Sequence, residues 1–299
     1  MVLFVMIGIS GSGKSTRAKE IKDNLPNNVS INSSDSIRKE LYGDENCQKD
    51  HEKVFGIMKE RTFRNLKEGK HTIYDATNLN RKRRISLIRE VKEKFPDIKI
   101  IGELMLLPPE VCIKRRSISD RIVPSNIIIK QLTQFQVPYY NEGFDKIEFI
   151  FNGDKDYLND YFSDLYACAY KCQHDNLHHE DSILYHCAKV SKNMALFKEI
   201  GLFHDLGKVY VKYFDDNGIA HYYGHSNISA YLYLLNMIDE EDIDKTLQEA
   251  LAIEYHMKQF DYNDKERFNN WKASLPERTL FILEELWPAD KKDSISIDR

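Results

Sequence analysis

The clearest chemical signal is a group of glycines, a lysine and a serine near the start of the chain. Gly8-Ile9-Ser10-Gly11-Ser12-Gly13-Lys14-Ser15 has the spacing G-x-x-x-x-G-K-[ST]. In this motif backbone N–H groups surround phosphate, the lysine reaches the β- and γ-phosphates, and the serine hydroxyl binds Mg²⁺. The residues expected to contact the nucleotide are Gly8, Ser10, Gly11, Ser12, Gly13, Lys14, Ser15 and Thr16.

Two acidic residues follow predicted strands in the same half. Asp35 comes soon after Val29-Ser30-Ile31-Asn32, and Asp75 directly follows His71-Thr72-Ile73-Tyr74. The carboxyl ends of neighbouring parallel strands share one crevice. There Asp35 can accept a proton from an attacking hydroxyl, and Arg38, one helical turn later, can bind a phosphate of the acceptor. Asp75 is expected to orient Mg²⁺. The alternative for each carboxylate is a helix cap.

A second signal lies in the other half, which holds eight of the ten histidines. A single histidine on an apolar helix is more often a packed core residue. His204 and Asp205 are adjacent, however, and both can bind one metal if they lie at a helix end or a local distortion. Nitrogen and oxygen ligands together suit Mn, Fe, Co, Ni or Zn. The other candidate ligands are His186, His225, His256 and Asp290, with Asp293 and Asp298 near the last of these.

The apolar pattern predicts the elements that position these residues. Apolar runs alternate with helical segments up to Phe151, with strands predicted at 2–7, 29–32, 71–74, 98–107 and 146–151 and helices that include 50–67 and 125–136. This alternation favours an α/β fold with a parallel sheet. Beyond the short polar stretch 153–156, one helix follows another. We therefore predict an α/β domain at residues 1–152 and an all-α domain at residues 153–299.

Composition restricts the function further. The 299 residues are 42% apolar and 30% charged with a net charge of −4, as in soluble globular proteins, so any nucleic-acid site must be a local basic patch such as Arg81-Lys82-Arg83-Arg84. No apolar run approaches the roughly 20 residues of a membrane span, and none is a signal peptide. Five scattered cysteines favour a reducing compartment, and we expect a cytoplasmic protein.

The motifs of the first half resemble the 5′-OH polynucleotide kinase family of P-loop phosphotransferases. The resemblance covers roughly residues 1–152 and rests on GISGSGKS, on Asn-x-x-Asp-x-x-Arg at 32–38, on Asp-Ala-Thr-Asn-Leu-Asn at 75–80, and on the later Val-Pro and Glu-Gly-Phe-Asp. It implies ATP and Mg²⁺, bound through Lys14 and Ser15. It further implies Asp35 as general base, Arg38 as the acceptor-phosphate clamp, and Arg115 and Arg121 as lid arginines, with Arg116 as the alternative to Arg115.

The second half resembles the HD phosphohydrolase superfamily over roughly residues 170–295. Its H…HD…H…H…D pattern is associated with two metals, and Asn217 to His225, NGIAHYYGH, resembles the HD region of bacterial tRNA nucleotidyltransferases, which act on 2′,3′-cyclic and terminal phosphates. The resemblance implies one or two divalent transition metals and a phosphate-orienting Lys208, with His179 close by. The implied ligands are His186, His204, Asp205, His225, His256 and Asp290.

A kinase and a phosphohydrolase acting on one small metabolite would form a futile cycle. On a broken RNA they act at different ends, and they leave the 5′-phosphate and 3′-hydroxyl that a ligase requires. We therefore expect a bifunctional enzyme that heals RNA or DNA ends, with an RNA ligase acting downstream. The alternative is a small-molecule or nucleoside kinase fused to an HD nucleotidase, and a third possibility is a regulatory nucleotide-binding module.

Overall fold

The chain divides into two compact units. The computed structural model describes residues 1–25, 28–119, 121–175, 181–261 and 264–293. The first unit comprises Met1–Gln131 and Pro138–Asn152, and the second comprises Leu132–Val137 and the chain from Gly153 onward. The division after Asn152 lies where the sequence pattern changes, whereas that pattern gave no sign that Leu132–Val137 groups with the second unit.

A five-stranded parallel sheet forms the centre of the first unit. Its order is β2-β3-β1-β4-β5, so the strand before the glycine-rich loop lies beside the strand that ends in Asp75. Residues 3–7 of β1 are all buried, which means that both faces of the sheet are covered and explains the continuous apolar run. The strands are β1 (Val2–Ile7), β2 (Val29–Ser33), β3 (His71–Asp75), β4 (Lys99–Leu106) and β5 (Lys146–Phe151).

Helices connect these strands. They are α1 (Lys14–Asn24), α2 (Ser34–Tyr42), α3 (His51–Lys67), α4 (Arg81–Lys94), α5 (Pro109–Ser117) and α6 (Ser125–Thr133), with a 3-10 turn at Tyr140–Glu142. Helix α6 ends three residues before the predicted end at 136. The segment that follows packs as part of the second unit. Phe135 and Val137 are fully buried, and the Val137 N–H donates to Glu254 Oε2 at 2.7 Å.

The second unit is helical within the described residues apart from one small hairpin. Its helices are α7 (Lys155–Lys171), α8 (Ile183–Asn193), α9 (Lys198–Phe203), α10 (Lys208–Val211), α11 (His225–Asn236), α12 (Ile243–Tyr255), α13 (Lys265–Ala273) and α14 (Glu277–Asp293), with a 3-10 turn at His256–Phe260. The hairpin pairs β6 (Tyr213–Phe214) with β7 (Ala220–His221) in antiparallel fashion. Among the described helices, none has the length and apolar character needed to cross a bilayer.

Helix α11 lies at the centre of the second unit. Every residue from Ile228 to Leu235 is buried, and a helix that is apolar on all sides is stable only when other elements surround it. The ring of Phe135 packs edge-on against Tyr231 at 5.3 Å. Helix α12 packs beside α11, so that His225 at the start of α11 meets His256 at the end of α12. The core thereby fixes the positions of two candidate ligands.

Candidate functional sites

The glycine-rich loop joins β1 to α1 in a conformation that requires its glycines. Gly13 precedes α1 with φ 93°, in the left-handed region, and a side chain there would collide with Asn152. A Cβ on Gly11 would lie 2.5 Å from the carbonyl oxygen of Cys112. The buried hydroxyl of Ser12 has no hydrogen-bond partner among the described residues. This tight loop and its available polar group suit a phosphate.

Lys14 is the first residue of α1, and its ammonium group lies inside the loop. Lys14 Nζ donates to the carbonyl oxygen of Ile9 at 2.7 Å. Burial lowers the pKa of Lys14 to about 8, although the nearby carboxylate of Asp75 opposes this change. A negatively charged phosphate would supply the counter-charge that the buried lysine lacks.

Ser15 and Asp75 form a pair of oxygen ligands at the same edge of the sheet. Ser15 Oγ donates to Asp75 Oδ2 at 3.0 Å, and hydroxyl and carboxylate oxygens are ligands that Mg²⁺ accepts. Asn78 fixes the loop after Asp75, because its Nδ2 donates to the Met6 carbonyl oxygen at 2.6 Å while its backbone adopts φ 46°. Sequence reasoning did not single out Asn78, although asparagine is one of the few residues that tolerate this conformation.

Asp35 lies between two arginines. Its Oδ1 is 3.0 Å from Arg38 Nη1, and its Oδ2 is paired with Arg121 Nη1. Arg121 Nε also donates to Asn46 Oδ1 at 3.1 Å. Arg121, predicted from a distant part of the sequence, therefore meets the Asp35 and Arg38 pair here.

Neither the Asp35 nor the Asp75 side chain caps a helix in the structure. Helix α2 begins at Ser34 without a side-chain cap, and the Asp35 carboxylate is engaged by the arginines. The helix that follows Asp75 is capped by Asn80, whose side chain accepts from the Arg83 N–H at 3.1 Å. Both carboxylates therefore remain available for chemistry.

The neighbouring arginines of α5 have different surroundings. Arg115 donates from Nη1 to Asn152 Oδ1 and from Nη2 to the Asn152 carbonyl oxygen, both at 3.0 Å. Burial is the main cause that lowers the pKa of Lys14, and the positive charge of Arg116 acts in the same direction. The buried Nε of Arg116 has no partner among the described residues.

The basic run at 81–84 is largely committed to structure. Arg84 is buried, and its Nε and Nη2 each lie 2.6 Å from a carboxylate oxygen of Glu142. Arg81 Nε is 3.5 Å from the same carboxylate, and Arg83 packs over the ring of Phe55. These contacts account for Arg81 and Arg84, whereas Lys82 and Arg83 are exposed, and the steering of a polyanion by this run stays a prediction.

In the second unit, Asp205 lies between two groups of histidines. Its Oδ2 is 3.4 Å from Nε2 of both His186 and His204, which are themselves 3.3 Å apart. Its Oδ1 is 3.1 Å from His225 Nε2 and 3.5 Å from His256 Nε2, and these two nitrogens are 3.2 Å apart. Each group can hold one metal ion, and Asp205 can bridge the two.

Asp290 of α14 completes the first of these groups. Its Oδ1 is 3.2 Å from His186 Nε2 and 3.7 Å from His204 Nε2. Its alternatives, Asp298 and the side chain of Asp293, lie outside the described residues, as do His178 and His179. All six predicted ligands therefore come together in what we call the His/Asp cluster: His186, His204, Asp205, His225, His256 and Asp290.

Helix ends aim the ligands of this cluster. His204 and Asp205 follow directly after α9, so the adjacent side chains are not forced onto different helix faces. In three histidines Nδ1 donates to the carbonyl oxygen three residues earlier: His204 to Gly201 at 2.7 Å, His225 to Tyr222 at 2.7 Å and His256 to Ile253 at 2.8 Å. This bond leaves the lone pair of each Nε2 directed at the centre of the cluster.

The electrostatics of the cluster favour a cation. Burial lowers the pKa of His186, but hydrogen bonds to Asp205 and Asp290 outweigh burial and raise it to about 9. Burial likewise acts to raise the pKa of the Asp205 carboxyl, yet Lys208 and His204 hold it well below its usual range. The buried Asp205 Oδ1 has no hydrogen-bond donor among the described residues, although two imidazole nitrogens lie close to it. The four imidazoles and two carboxylates of the cluster are a donor set that fits a divalent metal ion.

Lys208 and His174 border the cluster. Lys208 Nζ is 2.5 Å from Asp205 Oδ2 and 5.3 Å from the centre of the Tyr222 ring. His174 was not among the predicted ligands. Its ring lies 5.3 Å from that of His186, and burial lowers its pKa to about 3, so it is a neutral neighbour of the cluster. Only its spatial position distinguishes His174 from the other histidines of this half.

Comparison with known proteins agrees with the fold of the first unit. Residues 3–136 match the family model described as an AAA domain. No significant match was found among curated protein sequences.

Several solved structures are similar to part of this chain. A chain from the structure of a Pnkp1/Rnl/Hen1 RNA repair complex is 26% identical with a TM-score of 0.40, and the match covers 48% of this chain and 46% of that one. A chain from a second Pnkp1/Rnl/Hen1 complex is 22% identical with a TM-score of 0.33, and the match covers 41% of this chain and 40% of that one. A gluconokinase from Sinorhizobium meliloti 1021 is 19% identical with a TM-score of 0.35, and the match covers 50% of this chain and 82% of the gluconokinase. This chain thus spans less than half of the two repair-complex chains.

The observations define the class of each unit. The sheet order, the loop around Lys14 and the match of residues 3–136 to an AAA-domain model agree in giving the first unit a nucleotide-binding P-loop fold. The second is a helical unit that carries a buried cluster of possible metal ligands.

Proposed function

We propose that this chain is a bifunctional enzyme that heals nucleic-acid ends. The first unit phosphorylates a 5′-hydroxyl end with ATP, and the second, an HD-type phosphohydrolase, removes a 2′,3′-cyclic phosphate or a 3′-phosphate from RNA. One observation carries the proposal: the same chain holds a P-loop with an acid–arginine group at Asp35 and a buried His/Asp cluster bridged by Asp205.

The residues of the first unit suit phosphoryl transfer. Asp35 takes the proton of the 5′-hydroxyl as its oxygen attacks the γ-phosphorus, and ADP leaves. Arg38 binds the phosphate that follows the 5′-terminal nucleoside of the acceptor. Arg121, with Arg116 in preference to Arg115, stabilises charge on the transferred group, because the charge of Arg116 acts on Lys14 while Arg115 binds Asn152. Mg²⁺ held by Ser15 and Asp75 supplies further positive charge.

The residues of the second unit suit hydrolysis of a phosphate ester. The His/Asp cluster would hold the metal ions, which would supply a Lewis acid for a phosphate oxygen and would lower the pKa of a bound water toward neutrality. Lys208 is placed to donate to another oxygen of the phosphate, since its ammonium group already lies against Asp205. The buried walls of the cluster keep the imidazoles oriented.

The substrate follows from combining the two chemistries. One unit adds a phosphate and the other removes one, and a shared small substrate would only be cycled. The two ends of a broken RNA need the two opposite changes before a ligase can join them. An RNA ligase is therefore the partner that we propose to act on the product.

A single substrate tests the proposal. An RNA oligonucleotide with a 5′-hydroxyl and a 2′,3′-cyclic phosphate is incubated with ATP, Mg²⁺ and Mn²⁺ or Ni²⁺, and both ends are followed by mass spectrometry. We expect a 5′-phosphate at one end. At the other end one water opens the cyclic phosphate to a monophosphate, and a second water releases inorganic phosphate and leaves free 2′- and 3′-hydroxyls. Phosphorylation of free nucleosides with no change at the RNA ends would instead support a nucleoside kinase fused to a nucleotidase.

The pH dependence of ATP binding gives a further prediction. The pKa of Lys14 is lowered to about 8 in the free protein by burial, and bound phosphate is expected to raise it again. Below pH 8 the lysine is already charged, so the Kd should not change with pH. Above pH 8 a proton must be taken up with the nucleotide, and the Kd should rise about tenfold per pH unit.

Calorimetric titration with ATP between pH 7 and pH 9.5 measures this slope. Lys14→Arg is the matched variant, because a guanidinium stays charged over the whole range. Its Kd should be independent of pH, whatever its absolute value. The same rise in Lys14→Arg would show that another group causes the dependence.

A further inference from the structure

Three aromatic side chains cluster at the hairpin that precedes His225. The ring centroids of Tyr213, His221 and Tyr223 lie 5.3, 5.7 and 5.9 Å apart. The plane of His221 is inclined by 27° to Tyr213 and by 17° to Tyr223, whereas the two tyrosine planes are inclined by 40° to each other, so His221 stacks on each tyrosine. Tyr223 is 71% exposed and Tyr213 is 45% exposed. We call these three residues the aromatic platform.

The hairpin holds the platform in a fixed arrangement. Asp215 Oδ1 accepts from the backbone N–H groups of Asn217 and Ile219, both at 2.9 Å. Asp215 Oδ2 lies 3.0 Å from His221 Nε2 and orients the imidazole ring. Rings that are oriented before a ligand arrives lose little conformational freedom when they bind it.

The exposed tyrosine differs from its buried neighbour. Tyr222 is buried, its hydroxyl donates to the His174 carbonyl oxygen, and its ring lies beside Lys208. Tyr222 therefore packs in the interior of the unit, whereas the side chain of Tyr223 is largely exposed to solvent. The fold of this unit does not require an aromatic residue at position 223.

The platform is close to the metal ligands along the chain. Tyr223 is two residues before His225, so their Cα atoms are at most about 7.6 Å apart. Lys212, which directly precedes the hairpin, lies over the ring of Phe214 at 5.2 Å, and its ammonium group is paired with Asp175 Oδ2 at 2.5 Å. The platform's contribution is therefore its exposed aromatic rings and their nearness along the chain to His225, and aromatic rings are what single-stranded nucleic acid stacks on.

We propose that the aromatic platform stacks the terminal base of a single-stranded RNA 3′ end and thereby brings its terminal phosphate to the His/Asp cluster. This inference rests on the proposed function of the second unit. Stacking on tyrosine and histidine is tolerant of sequence, because every base has a π-face. An end-healing enzyme needs such tolerance, since breaks occur at any nucleotide.

Two substrates that differ only in the terminal base test the inference. One is a single-stranded RNA with a 3′-phosphate, and the other has an abasic ribose at that last position. Tyr223→Ala should raise the KM for the first substrate by about 5- to 150-fold, with kcat nearly unchanged. The KM for the abasic substrate should stay as in the wild type. Tyr223→Phe keeps a ring and should restore the normal KM.

Tyr170→Ala is the matched control, because Tyr170 is 66% exposed and lies on α7, outside the platform. It should behave as the wild type with both substrates. An unchanged KM in Tyr223→Ala, or an equal rise with both substrates, would overturn the inference. A loss of kcat alone would also overturn it, because stacking acts on binding.

Binding without turnover separates this inference from the proposed function. Fluorescence anisotropy measures the Kd of the full chain for oligonucleotides that end in a 3′-hydroxyl, with and without the terminal base. If the wild type prefers the base and Tyr223→Ala loses that preference, the platform stands even if no phosphate is released from RNA. If RNA is hydrolysed but the Kd is the same with and without the terminal base, the proposed function stands and the stacking role of the platform is refuted.

Discussion

Replacing Asp205 with asparagine is expected to abolish phosphate hydrolysis and to release bound metal. One oxygen of Asp205 faces His186 and His204, and the other faces His225 and His256. An amide offers one weaker oxygen donor and a nitrogen that is not a ligand, so neither metal position keeps its bridging charge. The loss should exceed the roughly 10- to 100-fold typical of residues that only orient a ligand.

Phosphate release from 3′-phosphorylated RNA and elemental analysis of the dialysed protein measure the two effects. Asp239→Asn is the matched control, because this exposed carboxylate pairs only with Lys155 in the described contacts. Kinase activity of Asp205→Asn should stay normal and shows that the chain is folded. Full metal content and hydrolysis in Asp205→Asn would refute the bridging role.

His225→Ala and His256→Ala extend this prediction to the number of metals. Both histidines face Asp205 Oδ1, on the side away from His186 and His204. With two working ions, each variant should lose nearly all hydrolysis and about half of the bound metal. Substantial activity in both variants would show that one ion, held by His186, His204, Asp205 and Asp290, is enough.

Replacing Asp35 with asparagine is expected to lower the rate of phosphate transfer to a 5′-hydroxyl by roughly 10²- to 10⁴-fold. The amide has a similar size but cannot accept the proton of the attacking hydroxyl. ATP affinity should change little, because Lys14 and the glycine-rich loop bind the nucleotide through other contacts. The predicted effect is therefore on kcat.

Single-turnover transfer of labelled phosphate from ATP to a 5′-hydroxyl oligonucleotide measures the rate, and calorimetry measures ATP binding. Asp97→Asn, at an exposed position of the same unit, is the control and should match the wild type. Hydrolysis at the 3′ end should also be normal in Asp35→Asn. Wild-type turnover of this variant at neutral pH would exclude Asp35 as the general base.

The sequence by itself predicted the features that depend on short-range patterns. The five strands lie within one residue of their predicted bounds, and the continuous apolar run of β1 reflects its burial on both faces of the sheet. The loop around Lys14 was also predicted from the sequence, since its conformation requires positive φ angles that glycine adopts readily. The candidate histidine ligands were recognisable because only ten histidines occur in the chain and eight of them lie in its second half.

Only the tertiary structure decided which of these groups meet. Arg115 and Arg116 are neighbours in sequence, but successive residues of a helix point in different directions. Arg115 therefore contacts Asn152, whereas the charge of Arg116 acts on Lys14. Within the basic run at 81–84, Arg81 and Arg84 pair with Glu142, which is about 60 positions later in the chain.

The same holds for Asp205 and the aromatic platform. That the two oxygens of Asp205 face different histidine pairs depends on where α8, α9, α11 and α12 end in space. Tyr213 and Tyr223 are ten positions apart and become neighbours only through the pairing of β6 with β7. Distances between residues that are remote in sequence are set by the packing of whole elements, and no local pattern records them.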